Sequence, residues 1–178
     1  SSCIPGITRE VTGSDRIEFE GLTFKVFATP GHTLDHLIYL LEGDVPRLFT
    51  GDLLFSAGCG RIFDGTAQQM FDALQQVKKL PGSTLLYPAH EYTLGNLTFA
   101  RTVEPDNTDI CSYHDWCSQI RSENQPTLPV TLASELTINP FLRTDNHSVK
   151  NAASKYQQSR LKEEVDIFVV LRRWKDCF

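Results

Sequence analysis

The chain has 178 residues, 40% of them hydrophobic and 22% charged, which is the composition of a globular protein with a core of its own. Seventeen Lys and Arg stand against 22 Asp and Glu, and the net charge of -5 predicts no general attraction to nucleic acid or to an anionic membrane. Five cysteines at irregular spacing argue against a disulfide framework. No apolar run is long enough to span a membrane, and the first residues lack a signal-peptide pattern, so we expect a soluble, cytoplasmic protein.

Short apolar runs in the first half of the chain predict a β-sheet. Residues 17–28 read as two strands around Gly21, because every second residue from Leu22 to Ala28 is apolar. Three further runs, bounded by Gly, Pro or charged residues, predict buried strands at 37–41, 47–50 and 84–87.

A helix is predicted between the last two of these strands. Thr66 and Gln69 have the spacing of a capping box, and apolar residues recur at helical intervals from Ala67 to Leu80. Pro81 and Gly82 then end the helix.

After about residue 92 the strand signal disappears. Helical periodicity predicts three helices, which begin near Leu94, Ile110 and Leu161. The stretch 124–144 contains three prolines and predicts an ordered loop with short helical turns. We therefore expect an α/β part over residues 1–92 and a helical domain over residues 93–178.

Three candidate metal ligands follow predicted strands: His32, Asp52 and His90. Side chains at strand ends of one sheet can converge although they are far apart in sequence. Imidazole and carboxylate suit Zn, Fe or Mn, and a carboxylate can bridge two cations, which makes Asp52 the candidate catalytic residue. Each residue also has an ordinary alternative: a loop histidine, a turn aspartate and a histidine at a helix start.

Other candidates favour structural roles. His36 precedes a predicted strand and is expected to be a half-buried structural histidine rather than a ligand. Cys59 lies between two glycines and is expected to be a small residue in a tight loop rather than a reactive thiol. The primary motifs of dinucleotide-binding proteins, serine hydrolases and P-loop proteins are absent from the sequence.

Four segments, TPGHT, TGDLLFSAGCGRIFDGT, PAHEYTLGNLTFA and LRRWKD, together resemble the glyoxalase II family of hydroxyacylglutathione hydrolases, within the metallo-β-lactamase superfamily. The resemblance covers nearly the whole chain. It implies an α/β fold, the second half of a metallo-β-lactamase αββα sandwich, followed by a C-terminal all-helical domain that binds glutathione. The family's metal ligands fall on His32, Asp52 and His90.

The resemblance also implies five substrate-binding residues: Arg61, Phe63, Tyr92, Arg172 and Lys175. Phe63 stands where some members have tyrosine, and Asp35 stands where glycine is usual. Glutathione carries two carboxylates, so an acidic protein needs local Arg or Lys side chains to bind it. From the residues alone, the cations near the C-terminus also suit a solvated helix end.

The activity implied by the resemblance is hydrolysis of S-(2-hydroxyacyl)glutathione by a metal-bound hydroxide. The typical substrate, S-D-lactoylglutathione, yields glutathione and D-lactate, the second step of methylglyoxal detoxification. The family site holds two divalent metal ions, first of all Zn, with Fe or Mn as alternatives. The partner is thus a small-molecule thioester, and the complete enzyme is expected to be a monomer.

One family motif, T-H-x-H-x-D-H, has no counterpart in this sequence, since none of the 31 residues before His32 is a histidine. We therefore expect fewer metal ions in this chain, impaired turnover, and self-association through uncovered strands. Two alternatives stay open: a single-iron persulfide dioxygenase of the same superfamily, and a non-catalytic glutathione-binding fragment.

Overall fold

The computed structural model describes residues 5–178, which form a mixed α/β fold. The strands, in chain order, are β1 (Arg16–Phe19), β2 (Leu22–Ala28), β3 (Leu37–Leu41), β4 (Arg47–Gly51), β5 (Leu54–Phe55), β6 (Gly58–Cys59), β7 (Leu85–Pro88) and β8 (Val130–Thr131). Six of them form one sheet in the order β1-β2-β3-β4-β7-β8, while β5 and β6 pair as a separate hairpin. Among the strand pairs of residues 5–178, only β4 and β7 run parallel.

The helices are α1 (Ala67–Lys78), α2 (Thr93–Val103), α3 (Thr108–Ser122), α4 (Leu132–Ile138), α5 (His147–Gln157) and α6 (Glu164–Asp176), with a 3-10 turn at Pro140–Leu142. Helix α1 makes the crossover from β4 to the parallel strand β7. Its first turn has the predicted capping box, in which Thr66 and Gln69 each bond the other's backbone N–H.

Most predicted elements are confirmed. The strands expected within 17–28 and at 37–41, 47–50 and 84–87 are present, as are the helix after Thr66 and the three helices of the second half. The expectation that no strand follows residue 92 was wrong, because β8 pairs with β7 at the edge of the sheet. Helix α5 and the β5–β6 hairpin were not predicted.

The hydrophobic core lies on one face of the sheet. Leu40 and Leu48 from the strands pack in one cluster with Met70 of α1 and Phe168 of α6. The same core therefore includes residues from both sides of residue 92. The division into domains 1–92 and 93–178 stays a prediction, and the two parts share this core.

The opposite face of the sheet carries a row of aromatic side chains. The ring of Phe49 lies 6.0 Å from Phe24 and 5.3 Å from Tyr87, centroid to centroid, across β2, β4 and β7. Phe49 is 38% exposed, whereas its neighbour Leu48 on the core face is fully buried. We call Phe24, Phe49 and Tyr87 the aromatic row.

Among residues 5–178, no helix is long and apolar enough to cross a membrane.

Candidate active site

The structure brings His32, Asp52 and His90 together at one end of the sheet. His32 Nε2 lies 3.7 Å from Asp52 Oδ2, and His90 Nε2 lies 3.4 Å from Asp52 Oδ1. Each oxygen of the carboxylate therefore meets a different imidazole.

Strand ends and two glycines make this convergence possible. Asp52 directly follows β4, and His90 follows β7, the parallel neighbour of β4. Gly51 has a φ of +52°, and a Cβ there would lie 2.8 Å from His36 Nε2. At Gly60 a Cβ would lie 1.9 Å from the Asp52 carbonyl oxygen. Side chains at these two positions would displace the site residues beside them.

The ring of His32 is oriented by a backbone carbonyl. Its Nδ1 lies 2.8 Å from the carbonyl oxygen of Arg61, to which Nδ1–H donates. This bond leaves the lone pair of Nε2 available on the side that faces Asp52. Metal-binding histidines are typically held in this way, with the second ring nitrogen donating to a carbonyl or carboxylate.

His36 has the structural role that the sequence predicted. Its Nε2 accepts a hydrogen bond from the Asp52 backbone N–H at 3.1 Å, and its Nδ1 lies 2.9 Å from Thr29 Oγ1. Burial, together with the proximity of His32, lowers the pKa of His36. Both ring nitrogens are thus engaged, and the neutral ring holds the backbone of Asp52 in place.

The donor types fit a divalent transition metal, but the set is incomplete. Within residues 5–178, no group of three His, Cys, Asp or Glu side chains could hold a metal ion by itself. Two ligands bound at about 2.1 Å to one tetrahedral ion lie about 3.4 Å apart. The two imidazole–carboxylate pairs, at 3.4 and 3.7 Å, are close to this separation. Each pair thus offers two ligands, and an ion there needs others.

A cavity of about 850 Å³ adjoins these three residues. Its walls also include all five residues that the family resemblance marked for substrate binding: Arg61, Phe63, Tyr92, Arg172 and Lys175. Residues separated by up to 143 positions therefore meet at one site. Their role in binding a substrate stays a prediction.

The three cations of this group differ in their contacts. Arg172 is buried, and its guanidinium donates to the carbonyl oxygens of Cys59 and Gly60 and to Asp176. Lys175 Nζ donates to the Gly95 carbonyl at 3.1 Å, and burial lowers its pKa. The side chain of Arg61 is 70% exposed. Arg172 therefore ties α6 to the loop at Cys59, while Arg61, whose Nε lies 3.9 Å from Asp176 Oδ1, keeps most of its side chain exposed.

Aromatic rings surround the histidines. The ring of Phe63 lies 4.8 Å from that of His32, and the ring of Tyr92 stacks on His90 at 5.1 Å. Phe55 makes an edge contact with Tyr92 at 5.2 Å. Phe63 has no hydroxyl group, so it contributes apolar contact where a tyrosine would add a hydrogen bond.

Sequence reasoning missed several cavity residues, above all Glu91 and Arg121, whose side chains lie 3.7 Å apart. Partial burial would raise the pKa of Glu91, but hydrogen bonds from the backbone and hydroxyl of Thr127 and the charge of Arg121 lower it overall. Glu91 belongs to the HEYT segment and could have been predicted from it, whereas nothing in the sequence around Arg121 marks a site.

Two family models together match residues 4–178 of the chain. Residues 4–90 match the model of the metallo-beta-lactamase superfamily, and residues 91–178 match that of the hydroxyacylglutathione hydrolase C-terminus. The hydroxyacylglutathione hydrolase of Pseudomonas savastanoi is 48% identical over 176 residues, which is 98% of this chain and 68% of that protein. The chain belongs to the hydroxyacylglutathione hydrolase family.

A second member of that family, from Vibrio cholerae, is 47% identical over 175 residues, again 98% of this chain and 68% of the relative. Among solved structures, ETHE1 from Myxococcus xanthus is 26% identical, with a TM-score of 0.56 over 96% of this chain and 54% of its own. A metallo-beta-lactamase from Staphylococcus aureus has the same TM-score at 21% identity, covering 98% of this chain and 45% of its own. The predicted fold class is confirmed.

Proposed function

We propose that this chain supplies the substrate-binding part and half of the metal-binding part of a hydroxyacylglutathione hydrolase, which cleaves the thioester of S-(2-hydroxyacyl)glutathione. The observation that carries the proposal is the Asp52 carboxylate, which faces one imidazole with each oxygen inside a cavity that also exposes cations. S-D-Lactoylglutathione is the typical substrate of this class, with glutathione and D-lactate as products.

His32, Asp52 and His90 would hold divalent metal, for which imidazole and carboxylate donors favour Zn, then Fe or Mn. Such an ion supplies Lewis acidity for the thioester carbonyl and brings the pKa of water close to neutrality. Asp52 would serve both histidines, one with each carboxylate oxygen, and the hydrogen bond to the Arg61 carbonyl directs Nε2 of His32 toward Asp52.

The cations act on the glutathione portion. Arg61, the most exposed of the three, pairs with a carboxylate, since a guanidinium can form two parallel hydrogen bonds to it. Lys175 adds a second positive charge at the cavity wall, and Arg172 fixes the loop on which Arg61 lies. The rings of Phe63 and Tyr92, which lie beside His32 and His90, would offer apolar contact to the substrate next to its reacting carbonyl. A glutathione thiolate leaves with little need for a general acid.

The test is metal binding by the purified 178-residue chain, measured by competition with a chromogenic chelator and by metal analysis. We expect fewer than two Zn ions per chain. Asp52→Asn should lower the Zn affinity by about 10–100-fold or more, because even the loss of a group that only orients a ligand costs that much, and an amide is a weaker ligand than a carboxylate. Asp64→Asn, at an exposed carboxylate outside the cavity, is the matched control. Equal Zn affinity for the wild type and Asp52→Asn would contradict the proposal.

A non-catalytic glutathione-binding fragment is the second candidate, favoured by the absence of a complete three-ligand group within residues 5–178. Calorimetry with S-methylglutathione on metal-free protein distinguishes the two. Binding that is lost in Arg61→Ala, combined with no Zn binding and no thioester hydrolysis, would establish the fragment. The match of residues 91–178 to the hydrolase C-terminus argues against the persulfide dioxygenase alternative.

A further inference from the structure

The β5–β6 hairpin, residues 54–59, is held by side chains from the second half of the chain. Asn96 Nδ2 donates to the Ser56 carbonyl at 2.9 Å, and Asn139 Nδ2 donates to the Gly58 carbonyl at 3.0 Å. Glu135 accepts from the Ser56 hydroxyl at 2.9 Å and from the Ala57 N–H at 2.8 Å. We call Asn96, Glu135 and Asn139 the polar clamp.

The clamp is buried and internally bonded. Glu135 and Asn139 are fully buried, Asn96 is 6% exposed, and Asn139 Nδ2 also lies 2.8 Å from Glu135 Oε2. The hairpin needs this support, because two-residue strands offer few ladder bonds and Ala57 has a φ of +55°. Removing one clamp residue would leave buried polar groups without a partner.

The held hairpin lies between two parts of the candidate site. Asp52 precedes it, and Gly60 and Arg61 follow it. The Gly60 N–H donates to the Leu53 carbonyl at 3.2 Å, which closes the base of the loop. The Arg61 carbonyl accepts from His32 Nδ1–H, so the position of the loop also sets the orientation of that ring.

We propose that Asn96, Glu135 and Asn139 are positioning residues that fix Asp52 and His32 for metal binding by holding the β5–β6 hairpin. This role rests on the proposed metal site. It assigns to the helical half of the chain a task beyond binding the substrate: ordering ligands that belong to the sheet half.

The experiment compares Asn139→Ala and Glu135→Gln with Val149→Ala, which truncates a fully buried core residue of α5. Co²⁺ binding is measured by its visible absorption spectrum and by chelator competition, and amide hydrogen exchange is measured over residues 52–61. Glu135→Gln can keep an acceptor toward Ala57 and serves as the rescue variant.

We expect Asn139→Ala to lower the Co²⁺ affinity by about tenfold or more, to change the Co²⁺ spectrum, and to speed exchange at Asp52 and Gly60. Val149→Ala should lower the melting temperature without either effect, and Glu135→Gln should resemble the wild type. Unchanged Co²⁺ binding in Asn139→Ala, or an equal loss in Val149→Ala, would overturn the positioning role.

A wild-type chain that binds no Co²⁺ would count against the proposed metal function and not, by itself, against the clamp. In that case the Asp52 amide and the Nδ1 proton of His32, observed by NMR, decide. Faster exchange of both in Asn139→Ala, but not in Val149→Ala, supports positioning. Equal exchange in the wild type and Asn139→Ala overturns it.

Discussion

The two faces of the main sheet differ sharply, although the same strands build both. On the core face, Leu48 is fully buried under α1, whereas the next residue, Phe49, is 38% exposed in the aromatic row. A strand that is apolar on both faces is typical of a sheet covered on both sides. Within residues 5–178 the face with the aromatic row is covered only in part: Val26, two residues after Phe24 on that face, is buried, whereas Phe49 is not. The aromatic row is therefore a surface suited to a second layer, such as the other half of an αββα sandwich.

The largest expected effect comes from the covered face. Leu48→Ala should lower the free energy of unfolding by about 4 kcal/mol, because it leaves a cavity in a closely packed core. Phe49→Ala should cost less than about 1 kcal/mol, since that ring is partly solvated. Urea unfolding of both variants measures the contrast. Similar losses would mean that the aromatic row is covered in solution.

The second-largest expected effect concerns Glu135, the buried carboxyl group of the polar clamp. Burial raises the pKa of Glu135 to about 7 from a usual 4.5, despite hydrogen bonds from Asn139, Ala57 and Ser56. Folding then binds a proton between these pH values, so this group's contribution to stability is present below about pH 4.5 and is lost as the pH rises to about 7.

Over that pH window the change is on the order of 2–3 kcal/mol. It is measured as the difference in unfolding free energy between the wild type and Glu135→Gln at several pH values, which removes the titration of other groups from the comparison. A difference that does not vary with pH would show that Glu135 keeps an ordinary pKa.

The third effect tests the open face directly. We expect the chain to self-associate through the aromatic row, and Phe49→Lys should raise the dissociation constant about tenfold or more by placing a charge there. Sedimentation equilibrium measures the constant. Trp116→Lys, at a 46% exposed aromatic residue of α3, is the matched control. A monodisperse monomeric wild type would rule out this expectation.

The smallest expected effect concerns α1, the helix that packs on the core face of the sheet. Thr66→Ala removes the capping box at the start of α1 and should cost about 1 kcal/mol. Thermal unfolding measures it, with Thr66→Ser as a control that keeps the hydroxyl. A loss with Thr66→Ser equal to that with Thr66→Ala would place the effect in packing rather than in the cap.

Local patterns predicted the elements that local forces stabilise. The apolar runs at 37–41 and 47–50 and the Thr66–Gln69 cap needed no distant contact to be recognised. The β5–β6 hairpin escaped prediction because side chains 40 to 84 positions away hold it. Helix α5 was missed because only two of its residues are buried, which leaves a weak apolar pattern, although Asn146 offered an N-cap signal.

The candidate site shows the same division. His32, Asp52 and His90 were predicted from residue type, strand ends and family motifs, and the structure brings them together. The burial of Arg172 could not be predicted, since it depends on how α6 packs against the loop at Cys59. Arg121 carries no local pattern, and its place in the cavity follows only from the path of α3.

The bond from Arg172 to the Cys59 carbonyl spans 113 positions of the chain. During synthesis on a ribosome, the sheet half emerges long before α6, so the loop beside Asp52 lacks its final anchor until α6 has been made. Contacts of such long range form late, because closing the intervening chain costs entropy. A nascent chain stalled before residue 172 would therefore lack this anchor of the loop beside Asp52, and shortening α6 would act on Asp52 although the two are far apart in sequence.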